Sequence, residues 1–158
     1  MKKNAVISGT FDPITIGHLD IIKRAAAMFD HITVGVFDNT TKKSMFSAEV
    51  RYKAVSAAIS DIDNASAELA SNKTIVDFAN EHNAVIVRGI RNSSDADYEI
   101  SLSNINNEIG NAETILLVSA PDISYISSTF VRDMIKYKKP YEKYIPKSAY
   151  DILKDQNI

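Results

Sequence analysis

The feature that most constrains the fold of this chain is the alternation of short apolar runs with segments of helical periodicity. The clearest apolar runs, each short enough for a buried strand, are 5–8, 32–37, 84–87 and 114–118. Between the first two, Leu19, Ile22 and Ala26 follow the spacing of a helix face. Continuously apolar strands separated by helices are typical of a parallel sheet that is covered on both faces. The pattern therefore predicts an α/β protein with a doubly wound sheet.

A fifth strand and the helix boundaries rest on weaker signals. The stretch 60–72 has little periodicity, and a short strand near 67–69 completes a five-stranded parallel sheet. The strand at 84–87 is expected to close at Arg88-Gly89. Ser93 or Ser94 is expected to cap the long helix that follows, because serine at a helix start bonds the free N–H groups of the first turn.

Length, charge and cysteine content exclude several classes of function. A chain of 158 residues is expected to form a single domain, 1–158, with its C-terminal helices from about 128. Lysine and arginine number 18 and aspartate and glutamate 20, which argues against a nucleic-acid partner. The absence of cysteine excludes thiol nucleophiles, disulfides and cysteine-ligated metals. With no apolar run of about 18 residues and no secretory signal pattern, we expect no membrane contact and a cytoplasmic location.

The predicted topology indicates where a ligand should bind. In doubly wound sheets ligands bind at the carboxyl ends of the strands, near the switch in strand order. The segments that follow the strands there are 9–18, 38–43, 88–91 and 119–128. These four segments are therefore the places to look for chemistry.

The segment Gly9-Thr10-Phe11-Asp12-Pro13-Ile14-Thr15-Ile16-Gly17-His18 follows the first strand. It matches neither the G-x-G-x-x-G fingerprint nor a P-loop. It nevertheless places backbone N–H groups, hydroxyls and a histidine at a helix start, where anions bind. Taken alone, His18 could equally be an ordinary residue of a first helical turn.

Two later segments carry further anion-binding side chains. Hydroxyls at Ser127, Ser128 and Thr129, followed by Arg132, would form a grip for a triphosphate. The bland alternative is a serine cap followed by a solvated arginine. In the other segment, Arg88 and Arg91 could clamp phosphate, unless they only pair with the acids at 95, 97 and 99.

These motifs resemble those of a known enzyme family. Thr15-Ile16-Gly17-His18 resembles the (His/Thr)-x-Gly-His motif of a nucleotidyltransferase superfamily, and 9–13 and 126–132 fit its other signatures. Together with 88–91 and 97–99, the chain resembles the phosphopantetheine adenylyltransferases along almost its whole length. The resemblance implies a Rossmann-like fold and the conversion of ATP and 4′-phosphopantetheine to dephospho-coenzyme A and pyrophosphate. The alternatives are an adenylyl- or cytidylyltransferase for another acceptor, such as nicotinamide mononucleotide, and a non-catalytic nucleotide-binding module.

The resemblance also implies roles for individual residues. His18 would stabilise the transition state. The residues implied for ATP are Thr10, Phe11, His18, Gly89, Ile90, Arg91, Glu99, Ser124, Tyr125, Ile126, Ser127, Ser128, Thr129 and Phe130. Those implied for 4′-phosphopantetheine are Thr10, Lys42, Thr74, Arg88, Tyr98 and Asn106. Glu99 would accept hydrogen bonds from the adenine amino group or the ribose.

The family resemblance extends to cofactor, assembly and regulation. Mg²⁺ is expected on the phosphates of ATP, with no dedicated protein ligands for the metal. A homohexamer and feedback inhibition by coenzyme A are implied by the family alone. Asn72-Lys73-Thr74 and Asn107 depart from the usual family pattern, so Thr74 is carried over as a backbone contact.

Overall fold

The fold is a five-stranded parallel sheet with helices on both faces, seen in a computed structural model that describes residues 4–38 and 43–156. The strands are β1 Asn4–Gly9, β2 His31–Phe37, β3 Ala65–Ala70, β4 Ala84–Ile90 and β5 Thr114–Val118. The helices are α1 Ile16–Ala26, α2 Ala48–Ala58, α3 Ile75–Glu81, α4 Ser93–Gly110, α5 Ser128–Lys136 and α6 Lys147–Leu153. A single 3-10 turn at Glu142–Tyr144 precedes α6.

The strand order β3-β2-β1-β4-β5 makes the sheet doubly wound, as the alternation of strands and helices predicts. From β1 the chain adds β2 and β3 on one side and then returns to add β4 and β5 on the other. The switch in order lies between β1 and β4, which pair in parallel from Asn4 opposite Ala84 to Ile7 opposite Val87. A crevice is therefore expected at the carboxyl ends of these two strands.

Side chains of successive strand residues enter two separate cores. Ile7 of β1 and Val87 of β4 pack into the larger core, which α1, α2, α5 and α6 cover. Val6 and Ile86, one residue earlier in each strand, pack into the smaller core under α3. This alternation explains the continuous apolar runs of the central strands β1 and β4, since side chains on both of their faces are buried.

Several helix starts follow from short polar side chains. Thr15, Ser47 and Thr74 each accept the third backbone N–H of the helix that they precede, at the starts of α1, α2 and α3. Ser127 does the same for α5, so the serine cap considered for this segment is present. The prediction for α4 was wrong, because Asn92 caps it and Ser93 is its first residue. Asparagine is as good a cap as serine, so the choice turns on geometry that the sequence does not display.

The largest difference from the prediction lies in β4. The strand continues through Arg88 and Gly89 to Ile90, whose backbone pairs with that of Val118. The predicted end at Arg88-Gly89 was therefore wrong. The sheet accommodates Arg88 because its guanidinium finds partners at the carboxyl end of the sheet, as described below. In the part of the chain that the structure describes, no helix is long and apolar enough to cross a membrane.

Candidate active site

A cleft of about 400 Å³ opens at the carboxyl ends of β1 and β4, where the strand order switches. The end of β1, the start of α1, the end of β4, the first turns of α4 and the start of α5 line it. Three of the four segments expected to carry chemistry thus meet in one place. The segment 38–43 after β2 is absent from the lining, and residues 39–42 lie outside those described.

His18 lies in the first turn of α1 and faces this cleft. Its Nδ1 atom is 3.0 Å from the backbone nitrogen of Thr15 and 3.0 Å from the Thr15 hydroxyl. A backbone N–H can only donate, so Nδ1 accepts and carries no proton. The neutral ring therefore carries its proton on Nε2. Nδ1 is used in the helix cap, and the Nε2–H remains as a donor for a ligand.

The electrostatics of the cleft keep the His18 ring neutral. Burial, and then the positive charges of Arg88 and Arg91, together lower the pKa of His18 to about 4. The ring also packs edge-on against Phe11, with 5.2 Å between ring centroids. At neutral pH His18 is thus a fixed, uncharged hydrogen-bond donor rather than an acid or a base.

Arg88 is held in place by Glu99, across the gap between β4 and α4. Nε and Nη2 of Arg88 donate to the two carboxylate oxygens of Glu99 at 2.9 and 2.7 Å. Nη1 donates to the carbonyl and the hydroxyl of Ser8, at 2.8 and 3.0 Å. Glu99 is only 7% exposed, and each of its carboxylate oxygens already accepts one hydrogen bond from Arg88. The side chain predicted to contact the nucleotide here orients a cation.

Arg91 forms a second bidentate pair, with Asp95 at the start of α4. Nε and Nη2 donate to Asp95 at 2.8 and 3.2 Å. These hydrogen bonds raise the pKa of Arg91 and lower that of Asp95. The pairing of both arginines with acids, considered as an alternative from the sequence, is therefore present. It is compatible with phosphate binding, because Nη1 of Arg91 makes no hydrogen bond within the described residues and can donate to a ligand.

Two helix N-termini point their free N–H groups at the cleft. Gly17 at the start of α1 and Ser127, Ser128 and Thr129 at the start of α5 belong to its lining. Neither helix has an acidic residue in its first turn, whereas α2 and α3 have Glu49 and Asp77 there. Acids normally occupy first turns because they complement the helix dipole. Their absence at these two helices leaves positive potential for an anionic ligand.

The side chains of the 126–132 motif hold the turn after β1 as well as lining the cleft. Ser128 donates to the carbonyl of Pro13 at 2.8 Å, and Arg132 donates to the carbonyl of Asp12 at 2.7 Å. A second Arg132 nitrogen donates to the Thr129 hydroxyl. Arg132 is absent from the lining of the cleft, so its grip on a triphosphate stays a prediction. Its bonds fix the turn that leads to His18.

Most of the residues predicted for ATP and the acceptor converge on the cleft. Those that line it are Phe11, His18, Arg88, Gly89, Arg91, Tyr98, Glu99, Ile126, Ser127, Ser128 and Thr129. They come from β1, α1, β4, α4 and α5, which are far apart in the chain. Their contacts with ligands stay predictions, but their convergence is a property of the fold.

Other predicted site residues do not line the cleft. They are Thr10, Thr74, Ile90, Asn106, Ser124, Tyr125 and Phe130. Thr74 caps α3. Its hydroxyl accepts the backbone N–H of Asp77, its own backbone N–H donates to the Asp77 carboxylate, and its carbonyl accepts the N–H of Phe78. The backbone contact of Thr74 with the acceptor stays a prediction, and it would have to use the second lone pair of the Thr74 carbonyl. Lys42 lies outside the described residues.

The sequence interpretation missed two participants. Thr15 orients His18, and Ser8 holds Arg88. Thr15 stood inside a recognised motif, so a helix cap that faces a histidine three residues later was a usable signal. Ser8 gave no such signal, because only the parallel pairing of β1 with β4 brings it beside Arg88.

The cleft contains no obvious set of protein ligands for a metal. Within residues 4–38 and 43–156, no group of three or more histidines and acids is arranged to hold a metal ion. Asp95 and Glu99, the carboxylates that line the cleft, are each engaged by an arginine. A cation that acts here would therefore have to be held mainly by its ligand's own oxygens.

Comparisons with known proteins agree with this geometry. Residues 6–134 match the family model described as cytidylyltransferase-like. A phosphopantetheine adenylyltransferase of Streptococcus agalactiae is 43% identical over 94% of this chain and 94% of its own length. One of Buchnera aphidicola is 40% identical over 97% of this chain and 94% of its own.

A solved structure shows the same fold at lower sequence similarity. It is attributed to a nicotinate-nucleotide adenylyltransferase of Vibrio parahaemolyticus and superposes with a TM-score of 0.72. It covers 98% of this chain and 93% of its own at 20% identity. This structural likeness supports the doubly wound fold. The family assignment rests on the two relatives of higher identity described above.

Proposed function

We propose that the chain, which belongs to the phosphopantetheine adenylyltransferase family within the cytidylyltransferase-like proteins, transfers an adenylyl group from ATP to 4′-phosphopantetheine. The products are dephospho-coenzyme A and pyrophosphate. The observation that carries the type of reaction is the fixed, neutral His18 in a cleft between two helix N-termini and two arginines. The identity of the acceptor rests on the relatives.

The chemistry needs no base from the protein. An oxygen of the acceptor phosphate, already ionised at neutral pH, forms a bond to the α-phosphorus of ATP. The bond from that phosphorus to the oxygen bridging the α- and β-phosphates breaks, and pyrophosphate leaves with the electron pair. Catalysis is then positioning and stabilisation of charge on the α-phosphoryl oxygens.

Each side chain of the cleft fits one part of this task. The Nε2–H of His18 donates to an α-phosphoryl oxygen whose charge grows in the transition state. The start of α5 and the free Nη1 of Arg91 suit the β- and γ-phosphates. Arg88, oriented by Glu99, faces the acceptor phosphate. Because His18 is neutral, it supplies a directed hydrogen bond, and the two arginines supply the positive charge.

Mg²⁺ enters this proposal as part of the substrate MgATP, since the cleft has no carboxylate free to hold it. A cytoplasmic location goes with a reaction that consumes ATP and stays a prediction.

We also propose a homo-oligomer, a hexamer by family likeness. Ile105 and Ile109 support association, since these apolar side chains of α4 are 53% and 61% exposed. Light scattering would show about six times the 17.5 kDa chain mass. Inhibition by coenzyme A stays a prediction that a titration tests.

The test of the function is a comparison of acceptors. We expect the protein with MgATP and 4′-phosphopantetheine to release pyrophosphate and to form dephospho-coenzyme A, identified by its mass. Pantetheine without its phosphate is the matched control and should give no release, because it offers only an un-ionised hydroxyl and the protein supplies no base. Release with nicotinamide mononucleotide instead would favour the other transferase activity. ATP binding without release for any acceptor would favour a non-catalytic nucleotide-binding protein.

A further inference from the structure

Arg51 on α2 is a buried cation that does not line the cleft. It is only 1% exposed, which is unusual for an arginine and costly unless every donor is bonded. Its only salt-bridge partner among the described residues is Asp38, whose side chain is 55% exposed. Because Asp38 is more than half exposed, this one ion pair does not offset the cost of burying Arg51, and the burial needs another explanation.

Three backbone carbonyls, from three separate segments, converge on the Arg51 guanidinium. Nη1 donates to the carbonyl of Thr10 at 2.6 Å and to that of Phe37 at 2.9 Å. Nε donates to the carbonyl of Phe46 at 3.1 Å. One side chain therefore ties the turn after β1 to the end of β2 and to the segment that starts α2. The flat, five-donor guanidinium suits this task, and an ammonium group does not.

Asp12 makes the reciprocal connection from the turn after β1. Its two carboxylate oxygens accept the backbone N–H groups of Met45 and Phe46 at 2.8 and 2.9 Å. The N–H of Phe46 thus bonds Asp12 while its carbonyl bonds Arg51, which returns to Thr10. We call this closed set of hydrogen bonds, formed by Thr10, Asp12, Phe46 and Arg51, the Phe46 network.

The turn between Thr10 and Asp12 needs such support. Phe11 has a φ of 48°, in the left-handed region that a bulky side chain rarely adopts. Its ring packs against His18 and lines the cleft, so a change in this turn is transmitted to the His18 ring. The Phe46 network holds the residues on both sides of Phe11, by the carbonyl of Thr10 and the carboxylate of Asp12.

We infer that Arg51, with Asp12, is a positioning residue for the transfer reaction, which sets the Phe11 turn and thereby the place of His18. The inference rests on the proposed function for its kinetic consequence only. Arg51 and Asp12 touch no reacting atom in this account. They act by holding the turn that carries Phe11. Arg91 and the start of α5 are not part of the Phe46 network.

The primary test is Arg51→Lys, with Arg24→Lys as the matched control. Arg24 lies on α1 with its side chain 42% exposed and pairs with Asp20 one turn away. We expect Arg51→Lys to lower kcat at least about tenfold while the Kd for ATP changes by less than about threefold, because sub-ångström misplacement of catalytic groups is costly. Arg24→Lys should keep wild-type values. A lower Tm with unchanged kcat would show a purely structural role and overturn the inference.

Two further measurements keep the test decisive. Asp12→Asn keeps one of the two acceptor oxygens and should show the same pattern, so it replaces Arg51→Lys if that variant does not fold. Nuclear magnetic resonance of the variants gives a readout without turnover. The imidazole of His18 and the amide of Phe11 should shift more than the amide of Gly89. If the wild type releases no pyrophosphate, the proposed function fails, but the resonance measurement still tests whether Arg51 and Asp12 position His18. Unmoved His18 and Phe11 signals would overturn the inference.

Discussion

The neutrality of His18 can be tested by its titration. The pKa of about 4 lies about 2.5 units below the usual 6.5, so only about one ring in a thousand is protonated at pH 7. The chain has three histidines, and His18→Gln assigns the signals of His18 by their disappearance. Nitrogen-correlated imidazole spectra across pH should show a midpoint near 4 and a proton on Nε2. A midpoint at 6.5 or higher, or a proton on Nδ1, would refute the reasoning.

The same pKa difference predicts how stability depends on pH. Between pH 6.5 and about 4 the unfolded chain binds a proton at His18 and the folded chain does not. The free energy of unfolding should therefore decrease as the pH falls through this window, by at most about 3 kcal/mol. Other groups titrate there as well, so the difference between wild type and His18→Gln in urea unfolding isolates the contribution. A difference that is the same at pH 7 and pH 4.5 would contradict the linkage.

Removing a charge probes the cause of the shift. Arg88→Met deletes a cation and leaves Glu99 unpaired, and both changes favour the imidazolium form. The His18 midpoint should move upward. Lys53→Met is the control, because Lys53 is an exposed cation that pairs with Glu49 on α2, and it should leave the midpoint unchanged.

Three further predictions concern packing and capping. Gly110→Ala should lower the free energy of unfolding by about 1–3 kcal/mol, since a Cβ there would lie 1.9 Å from Val76. Urea titration measures this loss, and a variant as stable as the wild type would contradict the prediction. Gly17→Ala should leave folding intact, because the atom nearest to the added Cβ is 3.5 Å away. The added methyl group lies in the lining of the cleft and should weaken ATP binding, which calorimetry measures. An unaltered Kd for ATP would count against the approach of a phosphate to this helix start. Thr74→Ala should cost about 1 kcal/mol of stability through the cap of α3, and Thr74→Ser should retain most of that stability. Urea titration measures both variants, and an equal loss in the serine variant would contradict the capping role of the hydroxyl.

Much of the fold could be predicted from the sequence because its signals are local. Four strands contain continuous apolar runs, and the serine caps of α2 and α5 stand directly before the helices that they start. β3 was the weakest prediction, since Glu68 and Leu69 of this edge strand are both exposed although they lie on opposite faces, which leaves no clean pattern. The extension of β4 through Gly89 was missed, because a glycine after an arginine normally indicates a turn.

The cleft was predictable by motif, while the partners of its charges were not. His18, Arg88 and Arg91 stand in segments that the topology brings to one edge of the sheet, so their convergence could be foreseen. Whether an arginine meets a ligand or a carboxylate depends on side-chain geometry. Arg51 is the clearest case, since on a helix wheel it is an ordinary basic residue and only the fold brings three carbonyls to it.

The central claim is that a neutral His18 stabilises the transferring phosphoryl group rather than holding ATP. The most direct measurement compares pyrophosphate release in a single turnover with the Kd for ATP, for wild type and His18→Ala. The account predicts a loss of about 10²–10³ in rate, with a change in Kd of less than about threefold, because the hydrogen bond strengthens only as charge develops. Equal losses in rate and in ATP binding would show that His18 is a ground-state ligand and contradict the account.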